Sequence, residues 1–278
     1  MMQLTYLTFT APRRDDDAFA SYKNRNKAAL KNQELNPNVA FSDSIQAGIY
    51  MKHPRIIRIK ADMVDQMDYD KILSMYQDRF KDASDFTFIF VGNVDVEKMK
   101  PVIAEYLGAL PAVNRKETFK DNKIEMRQGI YKNEFTKQQE TPKASVFAFY
   151  NGDCKYDLRN NLLLSMTSQI LDLVYTEKVR EDEGGTYGVY VGGTLQKYPK
   201  EKAILQIIFD TAPEKKEKLM KIIFGEIDNI TKTGPSEANL NKVKEYMLKK
   251  HTEDLKENSY WLGSIDAVSY THLRAHET

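Results

Sequence analysis

The stretch from Asp157 to Val191 constrains this chain most, because the period of its hydropathy changes within it. Leu163, Met166, Ile170 and Val174 recur at helical spacing, which makes one face of a helix apolar. Asp157 stands where its carboxylate can accept from the first free backbone amides, and Gly184-Gly185 lets the chain turn out of the helix. Beyond the glycines, Tyr187, Val189 and Val191 alternate with Gly188, Tyr190 and Gly192, the period of a strand. A helix, a tight exit and a strand in that order bring Arg180, in the last helical turn, close to Tyr187 on the strand. That pair is the candidate for chemistry. Each member also has a structural account: a cation complements the helix C-terminus, and a strand tyrosine packs on its neighbours.

The chain has 278 residues, enough for one or two domains with a sizeable core. Its 41 basic and 40 acidic residues leave a net charge of +1, so no global field favours nucleic acid or an anionic membrane. Cys154 is the single cysteine, which excludes an intrachain disulfide framework and a cysteine zinc cluster. Placed after an apolar strand, it reads as a buried or semi-buried structural thiol rather than a nucleophile. No apolar run reaches the length of a membrane span, and the opening MMQLTYLTFTAPRRDDD lacks the basic-then-apolar order of a signal peptide.

Taken in order, Asp15 to Asp17 suit a helix start, with Phe19, Tyr22 and Leu30 as a sparse stripe and a stop before Asn36-Pro37. Residues 38 to 61 are mixed, and Ile57 and Ile59 suggest a short strand. Ile72, Leu73, Tyr76 and Phe80 share a helical face. DFTFIFVGN (85 to 93) is apolar on both faces and predicts a central strand buried on two sides. Val96, Met99, Ile103 and Leu107 mark another helix. Residues 112 to 126 are polar and aperiodic and read as a linker. A second unit opens with two predicted strands, GIYKNEFTKQQ and ASVFAFYNG. After the central helix and strand, Ala203, Leu205, Ile207 and Phe209 complete a hairpin. Thr211 and Glu214 have capping-box spacing ahead of a helix carrying Leu219, Ile222, Ile223, Ile227 and Ile230. Ser236 caps a last helix with Leu240, Val243 and Met247. From about Val268 the string AVSYTHLRAHET continues no pattern, and residues 268 to 278 read as a non-native tail.

The four histidines are His53, His251, His272 and His276, and no HxxEH or HExxH string occurs. His272 and His276 have a metal-ligand spacing but lie in the aberrant tail without a third ligand. The glycines of EGGTYGVYVGG follow a helix and enter a strand, the reverse of a phosphate cradle. Glu181, Asp182 and Glu183 are consecutive, so their side chains fan out and do not face one another as catalytic acids.

Three strings carry a resemblance: VREDEGGTYGVYV (179 to 191), DFTFIFVGNVDVEKMKPVIAEYLGALP (85 to 111) and LTYLTFTAPRRDDDAFASYKNRNKAALKNQELNP (4 to 37). They resemble the C-terminal half of the insulinase/pitrilysin-type (inverted-zincin) zinc metallopeptidases. The resemblance implies an α+β fold of metallopeptidase-like domains, each an antiparallel-rich sheet covered by helices. It places residues 1 to 111 as the latter part of a third domain and residues 127 to 267 as the first part of a fourth. On that reading both units are incomplete and the chain is a fragment, inactive alone. Members of the family close two halves round a peptide, which adds a strand to a sheet edge. Zinc is bound in the other half, where it activates water.

The resemblance also implies that Arg180 and Tyr187 reach the bound substrate, where a guanidinium and a phenol would stabilise the developing oxyanion. Gly185, Thr186 and Gly188 are implied as substrate contacts. The implied partners are a peptide and the zinc-bearing N-terminal half, in the same chain or a separate subunit, with a bacterial cell envelope or periplasm as the family's setting. Two rival readings stay open: a zinc-free recognition or scaffold subunit for a separate catalytic partner, and a non-proteolytic binding module.

Overall fold

The structure, a computed structural model, describes residues 1–118, 120–181 and 188–268; of Arg180 and Glu181 it describes the backbone alone. Along the chain run helices α1 (Met2–Thr10), α2 (Asp16–Glu34), α3 (Pro37–Tyr50), α4 (Tyr69–Phe80) and α5 (Val96–Tyr106). Strand β1 (Ala144–Asp153) precedes α6 (Leu158–Tyr175), which continues into a wider, π-type stretch over Thr176–Glu181. Then come β2 (Val189–Gln196), β3 (Lys202–Thr211), α7 (Lys216–Thr233), α8 (Glu237–Asp254) and α9 (Asn258–Val268). The α+β class inferred from sequence is the class observed. Compactness divides the chain into one unit of Met1–Gln33, Ile59–Lys120 and Lys250 onward, and a second of Glu34–Arg58 and Asp121–Lys249.

The described part of the first unit is helical. Helices α4 and α5 start where Asp68 accepts from the Lys71 amide and Asp95 from the Lys98 amide, each satisfying a donor the helix cannot. Phe9 is buried among rings, with centroids 5.0 Å from Phe80 and 4.8 Å from Phe86, both edge-on. Tyr76 Oη donates to the Thr8 carbonyl at 2.6 Å, tying α4 to α1.

A buried carboxylate closes this unit's α5 excursion. Asp82 is 1% exposed. It accepts from the Ser84 hydroxyl at 2.6 Å and amide at 3.0 Å, from the Val113 amide at 3.0 Å and from the Arg115 amide at 2.6 Å. The Ser84 hydroxyl and the three amides hold its carboxyl well below the ordinary range. The residues before and after α5 are thereby joined through one side chain.

Three predicted strands are absent from the structure. Residues 86 to 91 are irregular chain, unpaired among the described residues, and Phe86, Phe88 and Phe90 stay 40%, 36% and 40% exposed. A strand exists through its neighbour's hydrogen bonds, and no described strand lies in this unit. The suggested strand at Ile57 and Ile59 is irregular chain with both side chains exposed.

The second unit holds the sheet. Its strand order is β1-β3-β2, all antiparallel, with Phe147 opposite Ile208 and Val191 opposite Ile207. The predicted strand GIYKNEFTKQQ does not join it. That segment lies instead along α3: the Arg127 amide donates to the Ile49 carbonyl at 2.7 Å, its guanidinium covers Tyr131 at 4.1 Å, and Asn133 donates to Ser44 at 2.7 Å. Helix α3 was not legible in the mixed stretch 38 to 61. Its signals are Asn36 accepting from the Asn38 amide and Pro37 in the first turn, where a missing N–H costs nothing. Helix α7 starts at Lys216, behind a 3-10 turn over Pro213–Lys215. Thr211 is therefore the end of β3 and not a helix cap, as its spacing to Glu214 suggested. Ser236 does cap α8, accepting from the Asn239 amide at 3.2 Å. Helix α9 reaches Val268, and the rest of the tail read as non-native lies outside the described residues.

Asp82→Asn tests the carboxylate clamp. The folded pKa lies below the unfolded value of about 4, so the carboxylate's stabilisation is complete above that value and lost as pH falls below it. The variant should melt lower than wild type at neutral pH and show a flatter decline in melting temperature below about pH 4. Coincident pH profiles for the two proteins would show that the charge contributes nothing.

Candidate functional site

The helix that carries Arg180 is held by residues one, two and more turns before it. Leu171, Tyr175 and Val179 stand four apart and so share one face. They are 1%, 1% and 0% exposed, in one cluster with Ile207 and Phe209 of β3 and Leu219 and Ile223 of α7. Tyr175 Oη donates to the Ile223 carbonyl at 3.0 Å, and burial pushes its phenol up, with smaller contributions from Tyr150 and Glu226. Lys178 reaches Glu226 of α7 at 2.6 Å. The residue immediately before Arg180 is thus fully buried, within a wide helical turn of a kind frequent at functional positions.

A different face of α6 packs elsewhere. Ile170 and Val174 bury against Val243 of α8, with Met166, Leu240 and Met247 around them. The stripe legible in the sequence is this second face, and its first member, Leu163, remains half exposed. The deeper face, Leu171 to Val179, was missed, although its four-residue spacing was available as a signal.

On the strand side, Gly188 is exposed and precedes β2. Val189 and Val191 pack against the same cluster as Val179, while Tyr190 points to solvent. Helix and strand approach closely at Gly193, where an added Cβ would lie 2.3 Å from Ser168 Oγ and 3.1 Å from the Leu164 carbonyl oxygen. Only a residue without Cβ permits this contact.

Of the predicted site residues, Arg180 has its backbone at the end of the wide turn, and Gly188 stands at the entry to β2. Gly185, Thr186 and Tyr187, and the Arg180 side chain, lie outside the described residues. What the structure brings together are the flanks: Val179 and Val189 pack on one core.

Among the described residues, no group of three His, Cys, Asp or Glu could hold a metal ion. His53 Nδ1 accepts from the Arg55 amide at 3.2 Å, and His251 meets Tyr260 edge-on at 5.7 Å. His272 and His276 lie outside the described residues. Cys154 is half-buried just beyond β1. No helix among the described residues is long and apolar enough to cross a membrane.

A family profile described as the peptidase M16 inactive domain matches residues 66–247. A zinc protease PQQL-like protein of Arabidopsis thaliana is 22% identical over 250 residues, which are 85% of this chain and 26% of that relative. The periplasmic protease PqqL of Escherichia coli superposes with a TM-score of 0.82 at 20% identity, over 98% of this chain and 30% of that one. A peptidase M16 inactive domain from Pseudomonas fluorescens gives 0.72 at 20% identity, over 98% of this chain and 64% of its own. The chain therefore spans about a quarter of the length of the curated relatives it matches.

Gly193→Ala should separate α6 from β2 and cost ~1–3 kcal/mol, the usual penalty for overpacking. Adding Ser168→Ala removes the nearest atom and should recover part of the loss, leaving the contact with Leu164. Chemical denaturation of the two variants reads this directly. Equal stability of Gly193→Ala and wild type would mean the close approach is not needed.

Proposed function

The chain belongs to the peptidase M16 family, and we propose that it is the zinc-free part of a zinc endopeptidase, holding the peptide while a zinc-bearing half cuts it. In this reading residues 1 to 111 belong to a third domain, 112 to 126 to a linker and 127 to 267 to a fourth. Zinc, bound in the other half, supplies the activated water. The described residues of this chain do not assemble a ligand set for it, so their part is binding and charge stabilisation.

The observation that favours a role for the 180–188 segment is the anchoring of its two flanks. Val179 and Val189 pack on one core, so the chain between them leaves and re-enters at fixed points. Rigid support of this kind is what a substrate-contacting group needs. The Arg180 guanidinium and Tyr187 phenol would donate to the carbonyl oxygen as negative charge develops on it, with Gly185, Thr186 and Gly188 along the substrate backbone. Such donors act on the transition state more than on bound substrate.

In the enzyme assembled with its zinc-bearing half, Tyr187→Phe should lower turnover by about a hundredfold or more, with KM changed far less. Arg180→Lys should also be damaging, because an ammonium does not reproduce the planar fork. Steady-state kinetics with parallel melting curves distinguish this from misfolding. Wild-type turnover in Tyr187→Phe would return the residue to strand packing and favour the recognition or scaffold role instead. A separate check is metal analysis of the dialysed 278-residue chain, which should hold no stoichiometric zinc. One tightly bound zinc per chain would contradict the zinc-free assignment.

A further inference from the structure

Two polar bonds in matched register tie the end of α6 and its wide turn to α7. Tyr175 Oη donates to the Ile223 carbonyl at 3.0 Å, and Lys178 Nζ donates to the Glu226 carboxylate at 2.6 Å. The donors stand three residues apart and so do the acceptors, so the bonds are successive rungs between the same two helical segments. The second rung lies where an apolar residue would be expected. Glu226 continues the row of Leu219, Ile223 and Ile230 on α7, at the spacing of an apolar face. Its side chain is only 15% exposed, while that of Lys178 keeps 46%. Replacing a buried ion pair with apolar side chains is commonly neutral or stabilising, so core stability does not account for a carboxylate at this position.

What the pair does supply is direction. Apolar burial selects one rotation of a helix only weakly, because the hydrophobic effect has no direction. A wide turn makes the choice matter: it takes in one residue more than an α-turn, and a return to α spacing would rotate the residues beyond it by ~100°. Arg180 stands two residues after Lys178, at the end of that turn. We infer that Glu226 is a positioning residue, which through Lys178 holds the wide turn in register on α7 and so aims residue 180 at the bound peptide. This role rests on the reading of Arg180 as a substrate contact, and neither Glu226 nor Lys178 needs to meet the peptide itself.

The test uses the enzyme assembled with its zinc-bearing half, with turnover expressed per folded molecule. Glu226→Gln keeps the shape of the side chain and removes its charge. It should lower turnover about ten- to hundredfold, with KM and melting temperature close to wild type. Lys178→Met should do the same, and the exchanged pair, Lys178→Glu with Glu226→Lys, should recover most of the loss. In an Arg180→Ala background Glu226→Gln should cost nothing further, because the group it positions is gone. A purely structural pair would instead lower the melting temperature and leave turnover per folded molecule unchanged, which overturns the positioning role. A full additional loss in the Arg180→Ala background would overturn it too, by giving the pair a direct part of its own. Arg180→Ala with wild-type turnover would sink the reading of Arg180 and the role of Glu226 together. A damaging Arg180→Ala beside a silent Glu226→Gln would remove the role of Glu226 alone.

Discussion

The sheet-bearing unit depends on the burial of three side chains, Leu171, Tyr175 and Val179, against β3 and α7. Fully burying a side chain of this size contributes about 1.5–3 kcal/mol, and here three successive helical turns do so on one face. Everything around the candidate segment follows from that burial. It fixes the helix that ends at Glu181, it sets where β2 begins through Val189 and Val191, and it ties both to α7 through Leu219 and Ile223. The Tyr175 hydroxyl would be costly at this depth without a partner, and the Ile223 carbonyl supplies one. Helix α6 is thus apolar on two faces, one toward the sheet and one toward α8, with Ser168 at the tight crossing with Gly193.

The other unit is held by different means. Its rings gather round Phe9, and the stretch that carries α5 is closed by a single carboxylate accepting four hydrogen bonds. Polar closure of this kind is directional and does not need a large core. It leaves apolar surface open along Phe86 to Phe90.

Ion pairs contribute little to holding either unit. Many ion pairs among the described residues join two exposed side chains, such as Lys100 with Glu97, and pairs of that sort are worth about 0–1 kcal/mol. Lys178 with Glu226 differs because the Glu226 side chain is only 15% exposed, and it sits one turn from Tyr175. The near-neutral balance of the whole chain likewise gives no net field favouring one sign of charge.

By itself the sequence determined the elements whose partners are local. Helices α2, α4, α5, α7 and α8 were legible from their own periodicity, and the cap of α6 from Asp157, which accepts from the Asn160 amide. The β2–β3 hairpin was legible because its strands are neighbours along the chain. The family was legible in strings such as VREDEGGTYGVYV, as the match over residues 66–247 bears out. Tertiary structure alone decided the rest. Residues 85–91 and 129–139 have strand patterns, yet pairing depends on which edge lies alongside, and the second of them lies on α3 instead. Which face of α6 goes deepest was also undecided, since both faces are apolar and only the placement of β3 and α7 selects Leu171, Tyr175 and Val179. A helix makes its hydrogen bonds within itself, whereas a strand borrows them from elsewhere, and that difference separates what this sequence revealed from what it withheld.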